Sequence, residues 1–214
     1  MSGTLHVFGC SMASGYTFSG YDRPEQSFGR YCADELGMDY HIHAKNSSSN
    51  LYAYDCLVDN INNITPNDVV VIMWTYPNRT VIYDAGHPEH IMSSKFYESD
   101  GGLSRKYYND IYNDQNCMLE TTSVILASNM LCKSRNIPII NSTHWFTQCR
   151  GQGWYFYHNL LKQSGIQFPE CMLYKFISND NDVSPYDGFH PSENATKEYG
   201  LRLAKYIRDK YEQD

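Results

Sequence analysis

The run Val69-Val70-Val71-Ile72-Met73-Trp74 constrains the fold more than any other stretch of the chain. Four of its six residues are β-branched, which favours a pleated strand over a helix. A strand with one face in water alternates apolar and polar residues. This one has no polar residue at all, so both of its faces must be covered. The remaining pattern supplies the cover. Short apolar runs at Thr4–Gly9, Tyr40–Ala44, Ile137–Asn141 and Met172–Ile177 read as further strands. Between them, apolar residues recur at helical spacing over Pro24–Leu36, Ser48–Ile61, Trp154–Gln163 and part of Asp110–Arg135, and Glu193–Tyr211 closes the chain in the same way. Strand and helix in alternation imply right-handed βαβ units. The fold class expected is α/β, a three-layer α/β/α sandwich around a mostly parallel five-stranded sheet. At 214 residues, without a repeat of fixed period or a linker, the chain reads as one domain over 1–214, with a polar insertion at about 84–109.

Composition narrows the function. A formal charge of −7 lacks the basic face that a nucleic-acid backbone requires, so no nucleic-acid partner is expected. No apolar run is long enough to span a membrane, and Met1–Cys10 has neither the basic start nor the apolar stretch of a signal peptide. A cytoplasmic or virion-associated location is expected. The seven cysteines are odd in number, scattered and never in C-x-x-C, as reduced and mostly buried thiols would be. Nineteen tyrosines suit wet clefts and are compatible with carbohydrate contact.

In an open parallel sheet the chemistry sits on loops beyond the carboxyl ends of the strands. Four such loops carry unexplained polar residues: Gly9-Cys10-Ser11-Met12-Ala13-Ser14-Gly15, Ala44-Lys45-Asn46-Ser47-Ser48-Ser49-Asn50, Trp74-Thr75-Tyr76-Pro77-Asn78-Arg79, and Asp187-Gly188-Phe189-His190-Pro191-Ser192. In the last, an acid and a histidine three residues apart can pair carboxylate with Nδ1–H. Nε2 is then free to take a proton from a nucleophile elsewhere. Pro191 bars a helix from running back through His190.

Those loops, in that order, resemble the four blocks of the SGNH (GDSL-like) hydrolase family, and most resemble divergent bacteriophage-encoded members. The resemblance implies a flavodoxin-like SGNH hydrolase fold. Gly9-Cys10-Ser11 stands where the family has Gly-Asp-Ser, which makes Ser11 the nucleophile. Asp187, His190 and Pro191 match its D-x-x-H-P block. Ser47 stands at the second-block position whose N–H binds the oxyanion, and Asn78 is nearest to the third-block asparagine, with Thr75 and Arg79 as alternatives. The catalytic set implied is Ser11, Asp187 and His190, with Ser11, Ser47 and Asn78 forming the oxyanion hole. The activity implied is hydrolysis of a carboxylic ester or carbohydrate O-acetyl ester through an acyl-enzyme, with no cofactor and no metal. The partner is then a small acyl ester or acetylated glycan. The competing class is a catalytically weakened protein that binds glycan or serves in a virion.

Other features carry less. Cys10 is a possible thiol nucleophile, but adjacent residues point apart on a strand-to-turn path, so only one of Cys10 and Ser11 can face His190. His41-x-His43 and His87-x-x-His90 lack further ligands at metal spacing and read as surface histidines. The aromatic stretch Trp145-Phe146 with Trp154-Tyr155-Phe156-Tyr157 is a candidate sugar-stacking wall. The 84–109 insertion is long enough for a lid or a docking loop.

Overall fold

The computed structural model describes residues 2–15, 23–84, 87–91, 106–143, 159–168 and 190–211. Its main sheet contains β1 (Thr4–Gly9), β2 (Asp39–Ala44), β3 (Val69–Trp74) and β6 (Ile139–Thr143), all parallel, in the order β2-β1-β3-β6. Its helices include α1 (Ser11–Ser14), α2 (Phe28–Leu36), α3 (Asn50–Asn60), α4 (Asp114–Ser134) and α5 (Glu193–Tyr211). The α/β architecture expected from the sequence is the one observed. Four parallel strands are present among the described residues. The fifth, expected at 172–177, lies outside them.

β3 behaves as its composition demands. All six of its side chains are buried. Val69, Val71 and Met73 join the core beneath α2 and α5, while Val70, Ile72 and Trp74 join the core beneath α3 and α4. The two faces of one strand therefore seed two cores, which makes the molecule a three-layer sandwich.

Several boundaries move, each for a local reason. The expected Pro24–Leu36 helix is split. Pro24–Gln26 is a 3₁₀ turn, and α2 starts after Ser27, whose Oγ accepts from Gly29 N at 3.1 Å. The helix expected from Ser48 begins instead after Ser49, which caps Tyr52 N at 3.1 Å. The fourth main-sheet strand runs on to Thr143 rather than stopping at Asn141. Its polar end is buried because its groups find partners: Asn141 Oδ1 accepts from Trp74 Nε1 at 3.0 Å, and Ser142 bonds the Tyr199 hydroxyl. The insertion expected at 84–109 begins as structure. β4 (Thr80–Asp84) and β5 (His87–Ile91) pair antiparallel, placing His87 and His90 on a hairpin strand. Among the described residues, no helix is long and apolar enough to cross a membrane.

Candidate active site

β1 ends at Gly9, whose φ of 148° suits glycine. A Cβ there would stand 2.7 Å from Met73 O, so β1 and β3 can approach only without one. The chain then turns at once into α1, with Cys10 as its N-cap and Gly15 closing it in the left-handed region. Three outside groups fix this turn. Gly9 O accepts from Ser48 Oγ at 2.8 Å and from Lys45 N at 3.2 Å, and Ala13 O accepts from Ser27 Oγ at 2.6 Å. Cys10 is turned into the core, 1% exposed. Ser11, the first residue of α1, faces the other way.

Ser11 Oγ lies 3.0 Å from His190 Nε2, a contact across 179 positions of sequence. The histidine arrives there because α5 is anchored. Ser192 caps that helix, its Oγ accepting from Ala195 N at 3.2 Å. Tyr199 packs edge-on against Phe28 with ring centroids 4.9 Å apart, and Tyr31 donates to Glu193 Oε1 at 3.0 Å. Gly200 sits so close to α2 that a Cβ would meet Phe28 O at 2.6 Å. The 3.0 Å geometry suits proton transfer from a serine hydroxyl to an imidazole nitrogen.

The second and third loops converge on the same edge of the sheet. Ser47 adopts φ 64°, the left-handed conformation that a serine takes only at a cost. Next to it, Asn50 ties the loops together. Its Oδ1 accepts from Thr75 N at 2.7 Å, and its Nδ2 donates to Thr75 O at 3.0 Å and to Thr121 Oγ1 at 3.1 Å. Asn78 lies half-buried in the turn between β3 and β4. Thr75 Oγ1 and Arg79 Nη1, on the same turn, are buried atoms with no hydrogen-bond partner among the described residues. Asp187 and the aromatic stretch at 145–146 and 154–157 lie outside the described residues. Of the residues expected to act together, Ser11 and His190 meet, and Ser47 and Asn78 stand on loops at the carboxyl edge.

No protein-family model matches the sequence, and no curated protein matches it either. Solved structures do. A psychrotrophic esterase, EstA, from Pseudoalteromonas sp. matches with a TM-score of 0.61 at 9% identity, covering 99% of each chain. A member of the lipolytic protein G-D-S-L family from Veillonella parvula matches at 0.52 and 12% identity, covering 98% of this chain and 97% of that one. The acetyl xylan esterase AlAXEase matches at 0.55 and 11% identity, covering 95% of this chain and 99% of that one. The chain has the SGNH hydrolase fold. The match runs over nearly the full length of both partners.

Sequence reasoning missed Asn50, the residue that joins the second and third loops of the SGNH fold. Its signal was present but pointed elsewhere. Following Ser47-Ser48-Ser49, it reads as part of a helix cap, and Ser49 does cap α3. Nothing in the sequence shows that the amide reaches over to Thr75.

Proposed function

We propose that this chain is a serine ester hydrolase acting on a carboxylic ester or a carbohydrate O-acetyl ester. The observation that carries the reading is the 3.0 Å contact between Ser11 Oγ and His190 Nε2 at the carboxyl edge of the sheet. Ser11 is the nucleophile. As its Oγ attacks the ester carbonyl, His190 Nε2 takes the hydroxyl proton and then passes it to the departing alkoxide. Asp187, three residues before His190 in the sequence, is the acid assigned to hold the tautomer that leaves Nε2 unprotonated. The acyl group stays on Ser11 until water, deprotonated by His190, attacks it and releases the acid.

The tetrahedral oxyanion lies between the backbone N–H groups of Ser11 and Ser47. The left-handed backbone at Ser47 supports this reading, because it lets a serine take the conformation a glycine would hold there. A third donor comes from the Thr75–Arg79 turn. Asn78 is the family-like choice, and Thr75 Oγ1 and Arg79 Nη1, without a hydrogen-bond partner among the described residues, are buried donors on the same turn.

Hydrolysis of p-nitrophenyl acetate by the wild type, Ser11→Ala, His190→Ala and Cys10→Ala tests the assignment. Loss of about 10⁴-fold or more in kcat is expected for Ser11→Ala and for His190→Ala, with activity kept in Cys10→Ala. Hydrolysis that survives Ser11→Ala would sink the assignment. A wild type no faster than buffer would favour the glycan-binding or virion role instead.

A further inference from the structure

Thr75 is the first residue past β3, at the carboxyl edge, and its backbone is held on both sides. Asn50 takes both of its backbone groups, accepting from N at 2.7 Å and donating to O at 3.0 Å, and the same amide donates to Thr121 Oγ1 at 3.1 Å. Asn50, Thr75 and Thr121 are each 1% exposed. Thr75 is also β-branched, so its hydroxyl is restricted about χ1. Yet this firmly placed hydroxyl is a buried atom with no hydrogen-bond partner among the described residues. Leaving a buried hydroxyl unsatisfied costs stability, and a catalytic role is one of the few reasons for a fold to retain one. The register sets it beside the nucleophile. β1 and β3 run parallel with Gly9 level with Met73, so Ser11 and Thr75 each stand two residues beyond a paired position on neighbouring strands. Such strands lie about 4.8 Å apart. One cap segment fixes both loops: Ser48 Oγ donates to Gly9 O at 2.8 Å, and Asn50 holds Thr75.

We propose that Thr75 is a catalytic residue whose hydroxyl donates the third hydrogen bond to the oxyanion, and that Asn50 is the positioning residue that presents it. The inference rests on the serine-hydrolase reading and selects among the donors of the Thr75–Arg79 turn. An oxyanion donor works because it is fixed before charge develops, so no reorganisation is needed at the moment of reaction. Thr75 meets that condition. Asn78 and Arg79 stand further along the turn, which is closed by Arg79 N donating to Tyr76 O at 3.2 Å, and both are only partly buried. Arg79 carries a long side chain laid over the Tyr76 ring, 5.6 Å from its centroid, and has far more rotamer freedom to lose. As Ser11 Oγ bonds to the ester carbon, the carbonyl π electrons move onto oxygen, and the Thr75 hydroxyl donates to that charge. No proton is transferred. The hydrogen bond weakens again when the alkoxide leaves and the carbonyl re-forms. The penalty of the unsatisfied hydroxyl is thus relieved in the transition state, which raises kcat rather than lowering KM.

The test is Thr75→Val, which exchanges the hydroxyl for a methyl of similar size, measured beside wild type, Thr75→Ser and Ser11→Ala with p-nitrophenyl acetate. In Thr75→Val, kcat should fall by about 10²–10³-fold with KM little changed. Its Tm should stay level or rise, because an unsatisfied hydroxyl has left the interior. Thr75→Ser, which keeps a hydroxyl, should recover most of the lost rate. Asn50→Ala should also lower kcat, yet add little to the loss in the Thr75→Val background, since the group it positions is gone there. A wild-type kcat in Thr75→Val, with Ser11→Ala inactive, would overturn this inference and leave the serine hydrolase standing. A Tm and kcat that fall together, without rescue by Thr75→Ser, would mark the hydroxyl as structural and overturn it too. Activity that survives Ser11→Ala, or a wild type no faster than buffer, would overturn both readings.

Discussion

At Ser47 the φ of 64° places a Cβ-bearing residue in the left-handed region, where crowding between Cβ and carbonyl costs about 1–2 kcal/mol. The conformation persists because its neighbours leave little choice. Ser48 is bonded to Gly9 O, and Ser49 and Asn50 are committed to α3 and Thr75. The consequence is measurable. Ser47→Val, β-branched and poorly tolerated at positive φ, should lower unfolding free energy by about 1–2 kcal/mol in urea. Ser47→Gly should not, because relief of strain offsets the added freedom of the unfolded chain. Equal losses in both variants would mean that the hydroxyl, and not the backbone, is what matters. Asn50 illustrates the same scale from the polar side. One buried amide satisfies both backbone groups of Thr75, so it sets the height of the third loop against the second.

Helix α5 carries His190 to Ser11, and its seat on α2 decides how well. Gly200→Ala would drive a methyl to 2.6 Å from Phe28 O and 2.9 Å from Tyr31 Cβ. The first is backbone and cannot swing away, so α5 must shift outward. A loss of about 1–3 kcal/mol of stability is expected, as for other overpacked contacts. The diagnostic effect is kinetic. A displaced His190 should lower kcat against p-nitrophenyl acetate with KM little changed, because a shift of about 1 Å at a general base can cost about 10²-fold. An unchanged kcat in a destabilised Gly200→Ala would show that the histidine is placed by its own loop. The sequence is legible at this scale where apolar spacing is strong. The stripe Ala195, Tyr199, Leu203 and Ile207 announces α5, and all four are buried. It is less legible where polar residues are buried in pairs. Asn141, Ser142 and Thr143 look like the end of a strand, and only their partners across the fold show that the strand continues. The β4–β5 hairpin escaped notice because Pro88 and His87 interrupt the alternation that marks a strand.

On the scale of the whole molecule, the sheet order explains which parts of the candidate site could be read and which could not. Ser11 and His190 are visible as separate motifs because each sits in a short, distinctive loop. Their meeting depends on α5 packing beside α2, which the motifs do not encode. The histidines His6, His41 and His43, whose rings gather on one face of β1 and β2 with His6 Nδ1 3.0 Å from His43 Nε2, are the reverse case. His41-x-His43 is visible as a pair, but only the pairing of β1 with β2 sets His6 beside it. That cluster also ties stability to pH. Burial depresses His43 from 6.5 to about 4 and lowers His6 in the same direction, with His6 and His41 acting on His43 and the Asp68 carboxylate opposing the shift at His6. The folded state therefore resists protonation that the unfolded chain accepts. Stability from these rings is complete above about pH 6.5 and is lost as pH falls toward 4. Discounted for the partial exposure of His43, its share is about 1–2 kcal/mol. Urea unfolding at steps between those limits should show a steeper fall for the wild type than for His43→Asn, because carboxylates contribute equally to both. Parallel curves would mean that protonated His43 is accommodated by turning outward from the edge strand, leaving β1 and β2 held by their backbone ladder alone.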